Sequence, residues 1–254
     1  MSLSRRILER VSRGVALRRR FPPDLGGAEI FVSPECGLRY WKRNLADVDP
    51  ELFSLAREFA RPGQTVWDIG ANVGIFTFAC AGMIGSGGKV VCFEPDLQLV
   101  KLLRQSAASN AGKSAEVQMI PTAVSDQTGF ATFDIAKRSR ASNALENFSR
   151  STSGGIRESH TVSVHCIDDL LQHLTPPQLV KIDVEGAEAN VLAGGGKLLE
   201  EIRPIIICEV GEAAAEGVAQ ILKSSSYRIF DGSQPLTNRI ELNRVVWNTL
   251  AIPN

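Results

Sequence analysis

The stretch Val66-Trp67-Asp68-Ile69-Gly70-Ala71-Asn72-Val73-Gly74 joins an apolar run to two glycines and then to a second apolar segment. The apolar run over Thr65–Ile69 predicts a buried strand, and residues 75–83 predict a helix after the turn. Glycines at such a turn let a ligand approach the backbone closely, and free N–H groups at the start of a helix favour negative charge. We therefore expect an anionic or zwitterionic ligand at this turn.

Strand-like and helix-like segments alternate on both sides of that turn. The predicted strands lie at residues 65–69, 89–93, 117–120, 179–184, 204–210, 227–230 and 244–251. The predicted helices lie at 50–60, 75–83, from 95, at 188–201 with a break at the glycines 194–196, and at 213–223. Strands that alternate with helices indicate a doubly wound α/β fold with a mostly parallel sheet, and ligands bind at the carboxyl ends of such strands.

A second carboxylate, at the end of the next strand, restricts the chemical class of the ligand. Glu94 lies twenty residues beyond Gly74 and ends the strand at residues 89–93, where doubly wound folds bind ribose hydroxyls. The turn does not match G-x-G-x-x-G, because Asn72 stands at the second glycine position, which disfavours a pyrophosphate. Asp68 suits an ammonium group. A nucleoside joined to an amino acid meets both requirements, and S-adenosylmethionine is such a molecule.

Five blocks of the chain resemble, in the same order, those of the FkbM-type methyltransferases, a family of class I S-adenosylmethionine-dependent enzymes. The blocks are Asp68-Ile69-Gly70-Ala71-Asn72-Val73-Gly74, Phe93-Glu94-Pro95-Asp96, Ala123-Val124-Ser125-Asp126, Ile167-Asp168-Asp169-Leu170 and Lys181-Ile182-Asp183-Val184-Glu185-Gly186-Ala187-Glu188. The resemblance implies a Rossmann-like, mostly parallel seven-stranded sheet whose last strand is antiparallel. It also implies methyl transfer to oxygen, often to a hydroxyl of a sugar, polyketide or other small metabolite.

The resemblance also implies roles for individual residues. The methionine end of S-adenosylmethionine is expected at Asp68, Gly70, Ala71, Asn72 and Gly74. Its ribose is expected at Glu94 and Pro95, and its adenine at Ala123, Val124 and Ser125.

Asp183 and Glu185 are the candidate catalytic residues, because both follow a strand at the expected ligand edge. A carboxylate there could accept the proton of a hydroxyl acceptor, with Asp183 preferred over Glu185. Alternatively, the pair caps backbone N–H groups at the start of a helix. Glu209 ends the next strand and could complete an oxygen-rich metal site with them, but no spacing rule fixes such a trio, and we predict no metal.

Composition limits the partners. The 28 Lys and Arg residues balance the 28 Asp and Glu residues, so no overall field attracts nucleic acid. The five cysteines form no C-x-x-C pair, which predicts reduced thiols and a cytoplasmic protein. No apolar run approaches the roughly 20 residues of a membrane-spanning helix. The oligomeric state cannot be read from these features.

Two segments differ from the rest of the chain. Residues 1–30 are predicted as a basic N-terminal segment before a methyltransferase domain at 31–254, and residues 3–15 have the spacing of an amphipathic helix. Such a helix packs on the domain, contacts an anionic surface or serves as a targeting segment. Residues 137–160 form a polar insertion whose excess of Arg and Lys hints at an acidic substrate, although a solvated loop is the preferred interpretation.

The leading functional hypothesis is a methyltransferase that acts on a hydroxyl of a small molecule. The alternative from another class is a cofactor-binding or assembly subunit without turnover, because a fold alone does not establish chemistry. A nicotinamide oxidoreductase is disfavoured by Asn72.

Overall fold

The computed structural model describes residues 11–12, 14–137, 139–148 and 154–254. Its strands are β1 (Leu17–Arg20), β2 (Glu29–Val32), β3 (Thr65–Ile69), β4 (Lys89–Phe93), β5 (Glu116–Ile120), β6 (Ala123–Val124), β7 (Gly129–Ala136), β8 (Ala144–Leu145), β9 (Ile156–His165), β10 (Leu179–Ile182), β11 (Ile205–Glu209), β12 (Tyr227–Asp231), β13 (Glu241–Leu242) and β14 (Asn248–Pro253). Its α-helices are α1 (Pro50–Phe59), α2 (Ile75–Ile84), α3 (Leu97–Asn110), α4 (Ile167–Leu170), α5 (Glu188–Ala193) and α6 (Ala215–Ser224).

The main sheet has the strand order β13-β12-β14-β11-β10-β3-β4-β5. Strands β11, β10, β3, β4 and β5 are parallel, whereas β14 is antiparallel to both β11 and β12. The predicted doubly wound sheet with an antiparallel last strand is therefore confirmed. The two-residue strand β13 adds an eighth member at the edge. The prediction for 244–251 was partly wrong, because the strand begins at Asn248 and ends at Pro253.

Both faces of the sheet are covered, as the near-continuous apolar strands predict. Side chains on one face, such as Val66 and Val90, pack with helices α1, α2 and α3 in one buried cluster. The neighbouring side chains Trp67 and Val91 point to the opposite face and pack with α5 and α6. Strands β3 and β10 are parallel, but the chain adds later strands on opposite sides of this pair, β4 and β5 beside β3 and β11 beside β10. The carboxyl ends of β3 and β10 therefore border the crevice where ligands bind in such sheets.

The N-terminal residues that the structure describes form a hairpin that contacts the main domain. Strands β1 and β2 pair antiparallel, and β2 is tied to α3 by the Glu29 N–H, which donates to Asn110 Oδ1 at 2.9 Å. The boundary expected between residues 30 and 31 thus falls inside β2. Most of the amphipathic segment predicted for residues 3–15, including Arg5, Arg6 and Arg10, lies outside the described residues.

A second, smaller sheet has the order β6-β9-β7-β8, and the insertion contributes β8 and the start of β9 to it. Strand β9 begins at Ile156, so the predicted polar loop ends earlier than residue 160. Between residues 139 and 148, short 3₁₀ turns and β8 follow. The interpretation of this region as a solvated loop was wrong for Arg140, which is buried. Arg138 and Arg150 lie outside the described residues.

All five cysteines are unpaired in the structure. Cys36, Cys80, Cys92 and Cys208 are buried, whereas Cys166 is half-buried at the end of β9. Burial raises the pKa of the four buried thiols, which keeps them protonated and unreactive. In the described part of the chain, no helix has both the length and the apolar character needed to cross a membrane.

Candidate active site

The turn after β3 is held tightly against the end of β4. The N–H groups of Gly70 and Ala71 both donate to the Phe93 carbonyl at 3.0 Å, and that of Asn72 donates to Glu94 Oε2 at 2.8 Å. Two further donors are used within the turn, Val73 N–H to the Asn72 side chain and Gly74 N–H to the Ala71 carbonyl. The N–H groups of these five turn residues are therefore all satisfied within the protein.

Position 70 requires glycine for two reasons. Its φ is +80°, a backbone conformation that disfavours a side chain, and a Cβ there would lie 1.9 Å from the Asp183 carbonyl oxygen. The turn after β3 and the end of β10 thus contact each other through backbone atoms. This close approach leaves the space above both strand ends for a ligand.

Glu94 is buried at the end of β4 and contacts backbone on both sides. Its Oε2 accepts from Asn72 N–H, and its Oε1 accepts from Asp96 N–H at 2.9 Å. Burial raises the pKa of Glu94 to about 8, although the two backbone donors and the Lys181 ammonium act in the opposite direction. Each carboxylate oxygen keeps a second lone pair, so Glu94 can still accept hydrogen bonds from a ligand.

Asp68 lies behind the cleft rather than in it. Its side chain is fully buried, Oδ2 accepts from the Thr77 hydroxyl at 2.5 Å, and Oδ1 is 3.6 Å from Lys181 Nζ. Burial raises the pKa of Asp68, and Lys181 opposes that rise. The ammonium partner expected for Asp68 is therefore present within the protein as Lys181.

Lys181 joins several groups at the strand ends. Its Nζ lies 3.1 Å from Asp183 Oδ2 and 3.3 Å from the Gly70 carbonyl oxygen. Its pKa is raised by Asp183, Asp68 and Glu209, which outweigh the effect of burial, so the ammonium stays charged. A buried cation paired with two carboxylates fixes the position of Asp183, whose side chain is 29% exposed.

One cleft collects most of the residues predicted from the sequence. It contains about 590 Å³ of space, open solvent included. Of the expected donor-binding residues, those that line it are Gly70, Asn72, Glu94, Pro95, Ala123 and Val124. Asp183 and Glu185 also line it, and Glu185 has a positive φ of 57° at the turn into α5. Four expected residues do not line the cleft: Asp68, Ala71, Gly74 and Ser125.

Gly74 and Ser125 support the walls from behind. Gly74 ends the turn with φ +89°, and a Cβ there would lie 2.6 Å from Leu103 Cδ2 in α3. Ser125 donates its N–H to the His165 carbonyl at 3.1 Å and so fastens the end of β6 to β9. Both residues hold elements of the cleft in place.

The insertion supplies a wall that motif reasoning missed. Arg140 donates to Asp96 and, at 3.1 Å, to Glu35, while Asn143 Nδ2 donates to Asp96 Oδ2 at 2.9 Å. Arg140 and Asn143 of the insertion line the cleft, and so does Phe133 of β7. The only signal in the sequence was the concentration of basic residues in the insertion. Arg140 and Arg157 are neutralised by Glu35 and Asp96 inside the protein, so this excess no longer points to an acidic substrate.

Glu209 is a further carboxylate at the carboxyl edge of the sheet. Glu209 ends β11 and is partly buried beside Lys181, Asp183 and Asp49. Among the residues that the structure describes, no group of three His, Cys, Asp or Glu side chains is arranged to hold a metal ion. Asp168 accepts from the Lys197 N–H at 3.0 Å, after the glycines at 194–196.

The family is settled by comparison with known proteins. The methyltransferase FkbM domain model matches residues 68–229, which is more than half of the chain. The chain therefore belongs to the FkbM methyltransferase family. It is an S-adenosylmethionine-dependent methyltransferase with a class I, Rossmann-like fold, and S-adenosylmethionine is its methyl donor.

Individual relatives are more distant. The chain is 26% identical over 194 residues to the hexuronic acid methyltransferase AglP of Haloferax volcanii, covering 76% of this chain and 75% of AglP. A solved FkbM methyltransferase from Methylobacillus flagellatus KT is 16% identical with a TM-score of 0.48, and the alignment covers 78% of this chain but only 49% of that one. A precorrin-6y C5,15-methyltransferase from Geobacter metallireducens GS-15 is 11% identical with a TM-score of 0.47, covering 82% and 88%.

Proposed function

We propose that this protein transfers a methyl group from S-adenosylmethionine to a hydroxyl oxygen of a small, sugar-like acceptor. The observation that carries the proposal is the meeting of Gly70, Glu94 and Asp183 at one cleft above the parallel strand ends. The name of AglP, a hexuronic acid methyltransferase, supports a saccharide acceptor. The finer choice of oxygen as the methyl-accepting atom is part of the proposal.

The residues of the cleft suit the donor. The buried Glu94 carboxylate lies where a ribose diol can donate to it, and Pro95 flanks it. Ala123 and Val124 offer an apolar surface for the adenine. We propose that Gly70 and Asn72 adjoin the methionine end, while Asp68, Ala71, Gly74 and Ser125 act by holding these walls.

Asp183 is proposed as the carboxylate at the reacting end, with Glu185 as the second candidate. S-adenosylmethionine supplies an already activated methyl group, so the protein has mainly to align the acceptor with it. Lys181 fixes Asp183 through an ion pair of 3.1 Å, which suits a group that orients its ligands. We expect Asp183→Asn to lower turnover by a factor of about 100, because the acceptor is then less well aligned with the methyl group. Near-normal turnover by this variant would contradict the assignment.

Calorimetric titration tests the donor site directly. Purified protein is titrated with S-adenosylmethionine, with its demethylated product S-adenosylhomocysteine and, as a control ligand, with NAD. We expect micromolar binding of the first two, about −8 kcal/mol, and none of NAD. Binding without methyl transfer to any hydroxylated acceptor would favour the alternative of a cofactor-binding subunit. Failure of both sulfur ligands to bind would contradict the proposed donor residues.

A further inference from the structure

A second cleft lies beside the first, next to Lys181. It is open to solvent and contains about 1000 Å³ of space. Its wall includes the polar, charged and aromatic residues Arg39, Asp49, Lys181, Glu209, Trp247 and Asn248. None of them belongs to the predicted donor site.

The two clefts meet at one ion pair. Lys181 lines the second cleft, whereas Asp183 lines the first, and their Nζ and Oδ2 atoms are 3.1 Å apart. The parallel register pairs Ile182 with Cys208, so Asp183 and Glu209 end neighbouring strands at the same level. A molecule in the second cleft is therefore adjacent to the end of the first cleft where the methionine part of the donor is proposed.

The wall of the second cleft has the chemistry that a sugar ring requires. Trp247 is 56% exposed, and its carbonyl accepts from the Val210 N–H at 2.8 Å, which anchors it beside the end of β11. An exposed aromatic ring can pack against the C–H face of a pyranose. Carboxylate and amide groups nearby, from Glu209 and Asn248, can pair with the hydroxyls at its edge.

The charges of this cleft favour a neutral ring over an acidic one. Its carboxylates are Asp49, Glu51 and Glu209, against the two cations Arg39 and Lys181. Both cations are already paired, since Arg39 lies 3.5 Å from Asp49 Oδ2 and Lys181 binds Asp183. A carboxylate on the acceptor would face uncompensated like charges, which is unfavourable.

We propose that the second cleft binds a neutral pyranose acceptor against Trp247 and that Glu209 accepts the proton of the hydroxyl that is methylated. This inference rests on the proposed methyl transfer to oxygen. The acceptor oxygen forms a bond to the methyl carbon while the bond from that carbon to sulfur breaks, and the electron pair of the broken bond stays on sulfur. The hydroxyl proton passes to a Glu209 carboxylate oxygen and later to solvent.

The protonation behaviour of Glu209 agrees with this role. Burial, with the nearby Asp183 carboxylate, raises the pKa of Glu209 to about 7, and Lys181 opposes the rise. Asp49 raises it further, and Arg39 lowers it. A general base works best when its pKa lies near the working pH, because it is then both ionised and basic enough.

Saturation-transfer NMR tests the binding part of the inference. Full-length protein saturated with S-adenosylhomocysteine is mixed with the methyl glycosides of glucose, galactose and mannose, and separately with the matching uronic acids. We expect at least one neutral glycoside to bind, and to bind more tightly than its uronic acid. Trp247→Ala should weaken the binding of that glycoside about tenfold or more. Trp41→Ala is the matched control, since Trp41 is exposed outside this cleft. Binding of no glycoside, preference for the uronic acids or equal binding by Trp247→Ala would overturn the inference.

Turnover of the glycoside that binds tests Glu209. We expect Glu209→Gln to lower kcat by about 100-fold while the Kd for S-adenosylmethionine stays within about twofold. Glu212→Gln, an exposed carboxylate just beyond the end of β11, should leave both unchanged. Unchanged kcat in Glu209→Gln would overturn its role. If the unmodified protein did not bind S-adenosylmethionine, the proposed function itself would be refuted. The failure of the Glu209 role and the failure of the proposed function are therefore distinguishable.

Discussion

The two clefts at the carboxyl edge of the sheet are built in different ways. The first is framed by short turns, each contiguous with a strand, at Gly70, Glu94 and Asp183. The second draws its wall from distant segments that include Arg39, the start of α1 and Trp247. A donor common to a whole family can be held by local turns, whereas an acceptor site can vary with the segments that pack around it. Lys181 connects the two clefts, because it lines the second and forms an ion pair with Asp183 of the first.

The largest expected effect is on the stability of the protein, and it comes from the turn after β3 in the first cleft. We expect Gly70→Ala to lower the free energy of unfolding by more than about 4 kcal/mol, because its Cβ would overlap the Asp183 backbone. Gly63→Ala is the matched control, since Gly63 has a similar φ of +79° but nothing within 4 Å of a new Cβ. That control should lose about 1 kcal/mol. Denaturant unfolding measures both, and equal losses would show that close approach does not matter at Gly70.

The next effect should appear at the junction of the clefts. Lys181→Met should cost about 3 kcal/mol of stability, because it leaves the buried Asp68 carboxylate without its cation. Asp68→Asn combined with Lys181→Met should recover part of this loss, since the buried charge is then removed. Thermal unfolding of the single and double variants measures the difference. A double variant with the summed losses would indicate that the two residues act independently.

A smaller effect, confined to the first cleft, is expected at Glu94. Glu94→Ala should weaken S-adenosylmethionine binding by about 1–3 kcal/mol, because the ribose hydroxyls lose their carboxyl hydrogen-bond partner. Calorimetry measures this change. Glu116→Ala provides the control, since its side chain is 69% exposed. Unchanged affinity in Glu94→Ala would remove the ribose assignment.

The pH dependence of stability gives a further test at Glu94. Its pKa rises from 4.5 to about 8 on folding, so between these values the folded protein binds more protons than the unfolded chain. The free energy of unfolding should therefore fall as pH rises through this window. Glu94→Gln should flatten that decrease, as followed by thermal melting in a series of buffers. Glu209 contributes in the same direction, so some slope should persist in the variant.

Local patterns predicted the elements that form the first cleft. Strand β3, the turn at Gly70 and Glu94 at the end of β4 all lie where apolar runs, glycines and strand ends indicated. Sequence reasoning failed where a partner came from a distant segment. Asp68 was expected to bind a ligand ammonium, yet its cation is Lys181, 113 residues away in the chain. Arg140 was expected in solvent, yet the carboxylates of Asp96 and Glu35 stabilise its burial.

The sequence by itself determined the alternation of strands and helices, the turn after β3 and the family, because these depend on short-range periodicity and on residues close together in the chain. Only the tertiary structure decided which charges face a ligand and which neutralise one another. That decision depends on distances between groups such as Lys181, Asp68 and Asp183. Burial makes an unpaired charge costly, so the packed protein selects these partners from across the chain.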